Sequence, residues 1–180
     1  MPGQAFIGGE TRWTGLDAEV LPQRFGHGRA ATAAEIAALD IDVSPDGTGL
    51  PPGQGTGAGG AAVYAAKCAA CHGADGEGVQ GVGDRLVGRE PIDSTGWNRT
   101  IGNYWPYATS VFDYIRRAMP FDRPGSLTDG EVYALTAYLL HLNEIIPADA
   151  VMDAQTSPQV RMPASDRFVL DDREGSTRVR

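Results

Sequence analysis

The chain has 180 residues, 42% of them hydrophobic, which is enough for one folded soluble domain with extensions but not for two domains of ordinary size. Its 24 Gly and 12 Pro lie mostly outside the most periodic stretch and imply much irregular backbone. A formal net charge of -8 repels nucleic acid and anionic membrane surfaces and favours a basic partner, and no apolar run is long enough for a bilayer span.

In chain order, residues 1–31 scatter Phe6, Ile7, Trp13, Leu16, Leu21 and Phe25 among Gly, Pro and charges without a sustained period, as an extended arm does. Thr32-Ala33-Ala34-Glu35 has the Ser/Thr-x-x-Glu form of a capping box and opens a short helix to about Leu39. Pro45-Asp46-Gly47 makes a turn, and GTGLPPGQGTGAGG, from Gly47 to Gly60, has the composition of a flexible or loosely docked linker. The alanine-rich run from Gly60 to Ala70 favours helix and sets Gly60, Tyr64 and Cys68 on one face, so the cysteines fall at a helix end. Glycines from Gly73 to Gly83 force turns, and Thr109 to Ala118 is a second helical stretch stopped by Met119-Pro120. A second capping box, Thr128-Asp129-Gly130-Glu131, starts the strongest helix, with Val132, Leu135, Leu139 and Leu142 as its apolar stripe, ending before Pro147. Residues 148–180, with two further prolines, mixed charges and the Phe168-Val169-Leu170 cluster, read as a second arm. The expected organisation is an N-terminal arm with a short helix and linker over 1–57, a domain over 58–147 and a C-terminal arm over 148–180.

Cys68-Ala69-Ala70-Cys71-His72 is a C-x-x-C-H motif, and it uses every cysteine in the chain. The spacing lets two thiols add across the two vinyl groups of one haem while the next residue reaches the iron, giving one covalent haem c with His72 as an axial ligand. A structural zinc site needs four ligands, and beyond this motif only the isolated His27 and His141 remain. A thioredoxin-like thiol pair needs a βαβ surround, of which the sequence has no sign.

These residues resemble the class I cytochromes c over 58–147. Gly60-x3-Tyr64-x3-Cys68 resembles the family's first helix, where glycine permits a close crossing of the last helix, and Leu135, Tyr138 and Leu139 resemble the opposing face. The resemblance implies an all-α class I cytochrome c core around one covalent haem, with long irregular arms at both ends. It implies Met119, 47 residues after His72, as the sixth iron ligand, and Leu86 as an apolar haem contact. Met152 and Met162 are expected as core filler, and His27 and His141 as satisfied or exposed side chains. The segment from Gly96 to Tyr107 is dense in amphipathic aromatics, of which Trp105, with Arg99, is suited by its N–H donors to haem propionates. The basic residues are 14 Arg and the lone Lys67, so a lysine-ringed docking face of the mitochondrial kind is absent. Covalent haem attachment normally takes place outside the cytoplasm, so a periplasmic location is expected, with an export signal cleaved or left out of this numbering.

A narrower resemblance, carried by TIGNYWPYATSVFDYIRRAMPFDRPGSLTDGEVYALTAYLLHLN, IIPADAVMDA, VRMP and the N-terminal FGHGRAATAAEIAALDIDVSPDGTGLPPG, is to the cytochrome subunits of periplasmic sulfane dehydrogenase, the SoxD family. It implies a molybdenum-containing sulfur dehydrogenase subunit as electron donor in thiosulfate oxidation, a downstream electron acceptor, and no independent catalytic chemistry. With one C-x-x-C-H, the chain corresponds to a single-haem member or to a truncated form of a two-haem one. The competing expectations are a freestanding soluble electron shuttle, and a haem enzyme or sensor with a displaceable sixth ligand.

Overall fold

The structure, a computed structural model, describes residues 27–168. The chain divides into two compact units, residues 1–40 and 41–180. In the first, helix α1 (Ala33–Leu39) begins at the expected capping box, in which the Thr32 hydroxyl accepts from the Glu35 N–H and the Glu35 carboxylate accepts from the Thr32 N–H. None of its residues is buried, so its local order comes from the cap and from the ion pair of Arg29 with Glu35. Trp13, Phe25, Val169 and Leu170, expected to be apolar elements of the arms, lie outside the described residues.

The second unit runs through β1 (Gln54–Thr56), α2 (Gly57–Lys67), the single turn α3 (Ala69–His72), α4 (Ala108–Ala118), α5 (Asp129–Leu142) and β2 (Val151–Asp153). Two 3-10 turns, Ser157–Gln159 and Ser165–Arg167, follow. Its regular structure is helical apart from one short antiparallel ribbon in which Gly55 faces Met152. Helix α5 is the centre. Of the expected stripe, Val132, Leu135 and Leu139 are buried and Leu142 is half-buried, and the helix also buries Tyr133, Ala134, Ala137 and Leu140, because α2, α4 and the ribbon all pack on it.

Two glycines permit that packing. A Cβ on Gly60 would lie 2.1 Å from the carbonyl oxygen of Ala134, and one on Gly55 would lie 2.2 Å from the Ala134 nitrogen. Neither approach tolerates a side chain. Beside the Gly60 crossing the rings of Tyr64 and Tyr138 meet with centroids 5.3 Å apart. The 53–60 part of the segment expected as a flexible or loosely docked linker therefore packs closely on α5, while Gly47 meets Pro158 and Gly49 the Asp42 carbonyl. Glycine serves close approach here as well as it serves freedom.

Residues 148–164 also lie on this core. Met152 and Met162 are each 1% exposed, as their assignment to core filler requires, and β2 pairs with β1, so the ribbon is built from residues of the two expected arms, 1–57 and 148–180. Buried Asp113 on α4 accepts the Val43 N–H at 3.0 Å and pairs with Arg117, while Arg116 donates to the Ile41 carbonyl and to Asp129. Residues 41–43 are thus stitched to α4 by charge-assisted bonds.

Lys67 bonds Glu131 at 2.6 Å and joins the end of α2 to the start of α5, where Glu131 also closes the capping box on Thr128. The Lys67 ammonium, and then the Thr128 N–H, hold the Glu131 carboxyl below its ordinary value of 4.5. A depressed folded-state value stabilises fully above the unfolded-state pKa and is lost as pH falls through the folded one. Glu131→Gln keeps a capping-box acceptor but removes the charge. It is expected to cost about 0.5–1 kcal/mol at neutral pH, the difference from the parent shrinking as pH falls below 4.5. Urea denaturation of both proteins from neutral to acid pH measures it.

Candidate functional site

Helix α2 stops at Cys68, whose backbone (φ -125°, ψ -37°) leaves the helical path while its N–H still donates to the Tyr64 carbonyl at 2.8 Å. The chain restarts as α3, with the N–H groups of Cys71 and His72 both donating to the Cys68 carbonyl at 3.1 and 3.0 Å. Gly73 then ends the turn in the left-handed region (φ +80°), and the buried Tyr64 hydroxyl donates to its carbonyl at 2.9 Å. The motif is fixed at both ends by one tyrosine. His72 Nδ1 lies 2.7 Å from the carbonyl oxygen of Asp84. A carbonyl only accepts, so Nδ1 carries the proton and Nε2 keeps the lone pair that a metal needs.

Cys68, Cys71 and His72 form part of the wall of a cavity of about 1020 Å³. Leu86, Arg99, Trp105 and Met119 line the same cavity, so it brings together all seven site residues named from the sequence. Val111 and Ile115 of α4 and Leu135 and Leu139 of α5 give it an apolar lining. Met119 ends α4 in extended geometry (φ -120°, ψ 150°), the conformation imposed on a residue that precedes proline. His141 does not line the cavity and sits 3.3 Å from the Ile146 carbonyl, and Trp97, in the aromatic segment, is 91% exposed.

The wall from 86 to 105 has no regular structure and is held by polar side chains that the sequence reading did not single out. Asn143, which caps the end of α5, accepts the Gly88 N–H at 3.0 Å and donates to the carbonyls of Leu86 and Leu139. Asn103 accepts the Thr100 N–H and donates to the carbonyls of Glu90 and Asn98. Among the described residues every buried side-chain nitrogen or oxygen has a partner. Arg99 sits over the Tyr104 ring, 4.8 Å from its centroid, and Trp105 meets Tyr114 edge-on at 5.5 Å. An Asn just after a long helix was the available sign of a cap, but its partner 55 residues away in the chain left no local trace.

The donor set suits a haem. Two cysteines outside any disulfide precede a histidine with its lone pair on Nε2, a thioether lines the same cavity, and the remaining wall is largely hydrocarbon. Burial pushes the Cys68 thiol up to about 11, which leaves little of the thiolate that a redox or zinc-binding role draws on.

A helical shell that closes on an apolar cavity with C-x-x-C-H in its wall defines the class of covalent haem cytochromes. The family described as cytochrome C oxidase, cbb3-type, subunit III matches residues 55–139. A chain of the sulfane dehydrogenase SoxCD from Paracoccus pantotrophus superposes with a TM-score of 0.74 at 40% sequence identity, covering 84% of this chain and 74% of that one. The thiosulfate dehydrogenases of Psychrobacter arcticus and Stutzerimonas stutzeri are each 32% identical, over 122 and 80 residues, 64% and 43% of this chain. The chain spans only 36% and 24% of those two proteins. It belongs to the class I c-type cytochromes and is similar to the cytochrome subunit of sulfane dehydrogenase. Among the described residues no helix is long and apolar enough to cross a membrane.

Proposed function

We propose that the chain is the electron-transfer subunit of a periplasmic sulfur-oxidising complex, taking electrons from a molybdenum-containing sulfane dehydrogenase partner in thiosulfate oxidation and passing them to a downstream acceptor. The observation that carries the relay is the placing of Cys68, Cys71, His72 and Met119 on one apolar cavity. One covalent haem c, ligated by His72 and Met119, would supply a reversible single-electron couple there. Cys68 and Cys71 tether it. The Asp84 carbonyl orients His72, and Leu86, Leu135 and Leu139 exclude water. Trp105 and Arg99 supply N–H donors for the propionates. With His72 and Met119 both holding the iron, the chain would do no substrate chemistry of its own.

Likeness over 84% of the chain to a SoxCD chain supports the sulfur-oxidising partner. The arms expected at both ends are the candidate elements for gripping it. Because Met152 and Met162 are buried, a deletion that tests the C-terminal arm has to begin after the core ends, beyond Phe168.

Purification of the native protein with whatever remains bound is expected to give a complex that contains molybdenum and oxidises a sulfane sulfur compound while the haem is reduced. Cutting the chain after Phe168 is expected to weaken that association and leave the haem spectrum intact. A monodisperse, partner-free cytochrome in the native extract would replace this reading with the freestanding shuttle.

A further inference from the structure

The last turn of the described chain is anchored in the core. Met162 and Ala164 are each 1% exposed, and the 3-10 turn Ser165–Arg167 is built on their carbonyls, with Ser165 donating to Met162 from N–H and hydroxyl and the Arg167 N–H donating to Ala164 at 3.0 Å. That turn brings two side chains against residues 103 and 104, of which Tyr104 lines the cavity. Arg167 Nη1 donates to the Asn103 carbonyl at 3.0 Å, and the Phe168 ring meets the Tyr104 ring edge-on at 5.8 Å.

The two residues they meet differ in how well the rest of the wall holds them. Asn103 is 1% exposed and fixed by its own side chain, whereas Tyr104 is 36% exposed. The aromatic and cationic neighbours of the Tyr104 ring among the described residues are Phe168 and the Arg99 guanidinium. Arg99 has no carboxylate partner among the described ion pairs, so the tyrosine face is what holds its charge at the cavity. Both Tyr104 and Arg99 line that cavity.

We infer that Arg167 and Phe168 are positioning residues for the cavity wall: Arg167 ties the turn to the Asn103 carbonyl and so holds Phe168 in place, Phe168 fixes Tyr104, Tyr104 fixes Arg99, and the end of the folded C-terminal segment thereby sets the reduction potential of the group bound there. The inference rests on the haem reading of the cavity. A guanidinium held at the wall favours the reduced centre, which carries one positive charge fewer, and so raises its potential. Without the Phe168 ring, Tyr104 turns and Arg99 moves out to water, where its field is screened.

The test is potentiometry on the full-length, haem-loaded protein. Phe168→Ala is expected to lower the midpoint potential, raising the oxidised-to-reduced ratio at a fixed applied potential about threefold, or about 28 mV at 59 mV per tenfold. Arg167→Ala shifts it the same way, and Phe168→Tyr, which keeps the ring, retains the parental value. Arg99→Ala lowers it at least as far, and Phe168→Ala added to Arg99→Ala changes nothing further. Hydrogen exchange of the amides from 99 to 104 is expected to speed up in Arg167→Ala and Phe168→Ala. An unchanged potential in Phe168→Ala beside a lowered one in Arg99→Ala overturns the inference alone, as does an additive double variant. An unchanged potential in Arg99→Ala removes Arg99 as a haem contact and the inference with it.

Discussion

Replacing both motif cysteines, Cys68→Ala with Cys71→Ala, is expected to leave a chain without a cooperative thermal transition. The cavity they face measures about 1020 Å³ and is lined from both long helices, by Val111 and Ile115 on α4 and by Leu135 and Leu139 on α5. At about 24 cal/mol per Å³ of enclosed void, even the part of this volume that is shut off from water would take up much of the roughly 5–15 kcal/mol by which a whole domain is stable. The shell therefore cannot persist around an empty centre, and it collapses into a loosely packed state or unfolds. The contacts that survive, such as the α2–α5 crossing at Gly60, join elements of 11 and 14 residues, too short to hold a helix pair alone. Calorimetry or near-ultraviolet circular dichroism of the double variant checks this, with the parent as reference: acidified acetone should leave its colour with the polypeptide. A sharp transition in the variant would mean that the helices close without the haem.

Met119→Ala is expected to change the iron's spin state and lower its potential while the fold survives. The side chain is only partly buried and packs at the edge of the core, at the end of α4 where Pro120 forces the chain into extended geometry. Removing it takes a thioether from the cavity wall without opening the centre of the protein. Loss of the weak near-infrared-edge band of iron–sulfur ligation, a high-spin ferric spectrum or recruitment of another ligand, and a fall in potential are the expected signs. Met152→Ala and Met162→Ala give the converse result. Each side chain is buried at 1% exposure, so truncation should cost about 2–5 kcal/mol of stability with the haem spectrum unaltered. The pair of outcomes separates ligation from packing among methionines that look alike in composition. An unaltered spectrum in Met119→Ala would move the sixth ligand elsewhere and reopen the displaceable-ligand reading.

Much of this protein is decided within a few residues of chain. Both capping boxes form where Thr-x-x-Glu occurs, because each pairs donors and acceptors three positions apart. The C-x-x-C-H turn, the stop before Pro120 and the Gly60–Tyr64–Cys68 face are local in the same sense, so the helical class and the haem motif could be read directly from the chain. The tertiary structure decided which residues complete the cavity wall and which segments belong to the core. The glycines from Gly47 to Gly60 have the composition of a loose linker, yet Gly55 is required by the backbone of Ala134, and Met152 is buried by the ribbon that Gly55 helps to form. Asn143 holds Gly88 from 55 positions away in the chain, and Arg167 holds Asn103 from 64. Such contacts depend on how α2, α4 and α5 cross. A glycine chosen for freedom and one chosen for close approach are the same letter, and an exposed arm and a strap on the core share the same mixture of polar and apolar residues until their partner surface exists.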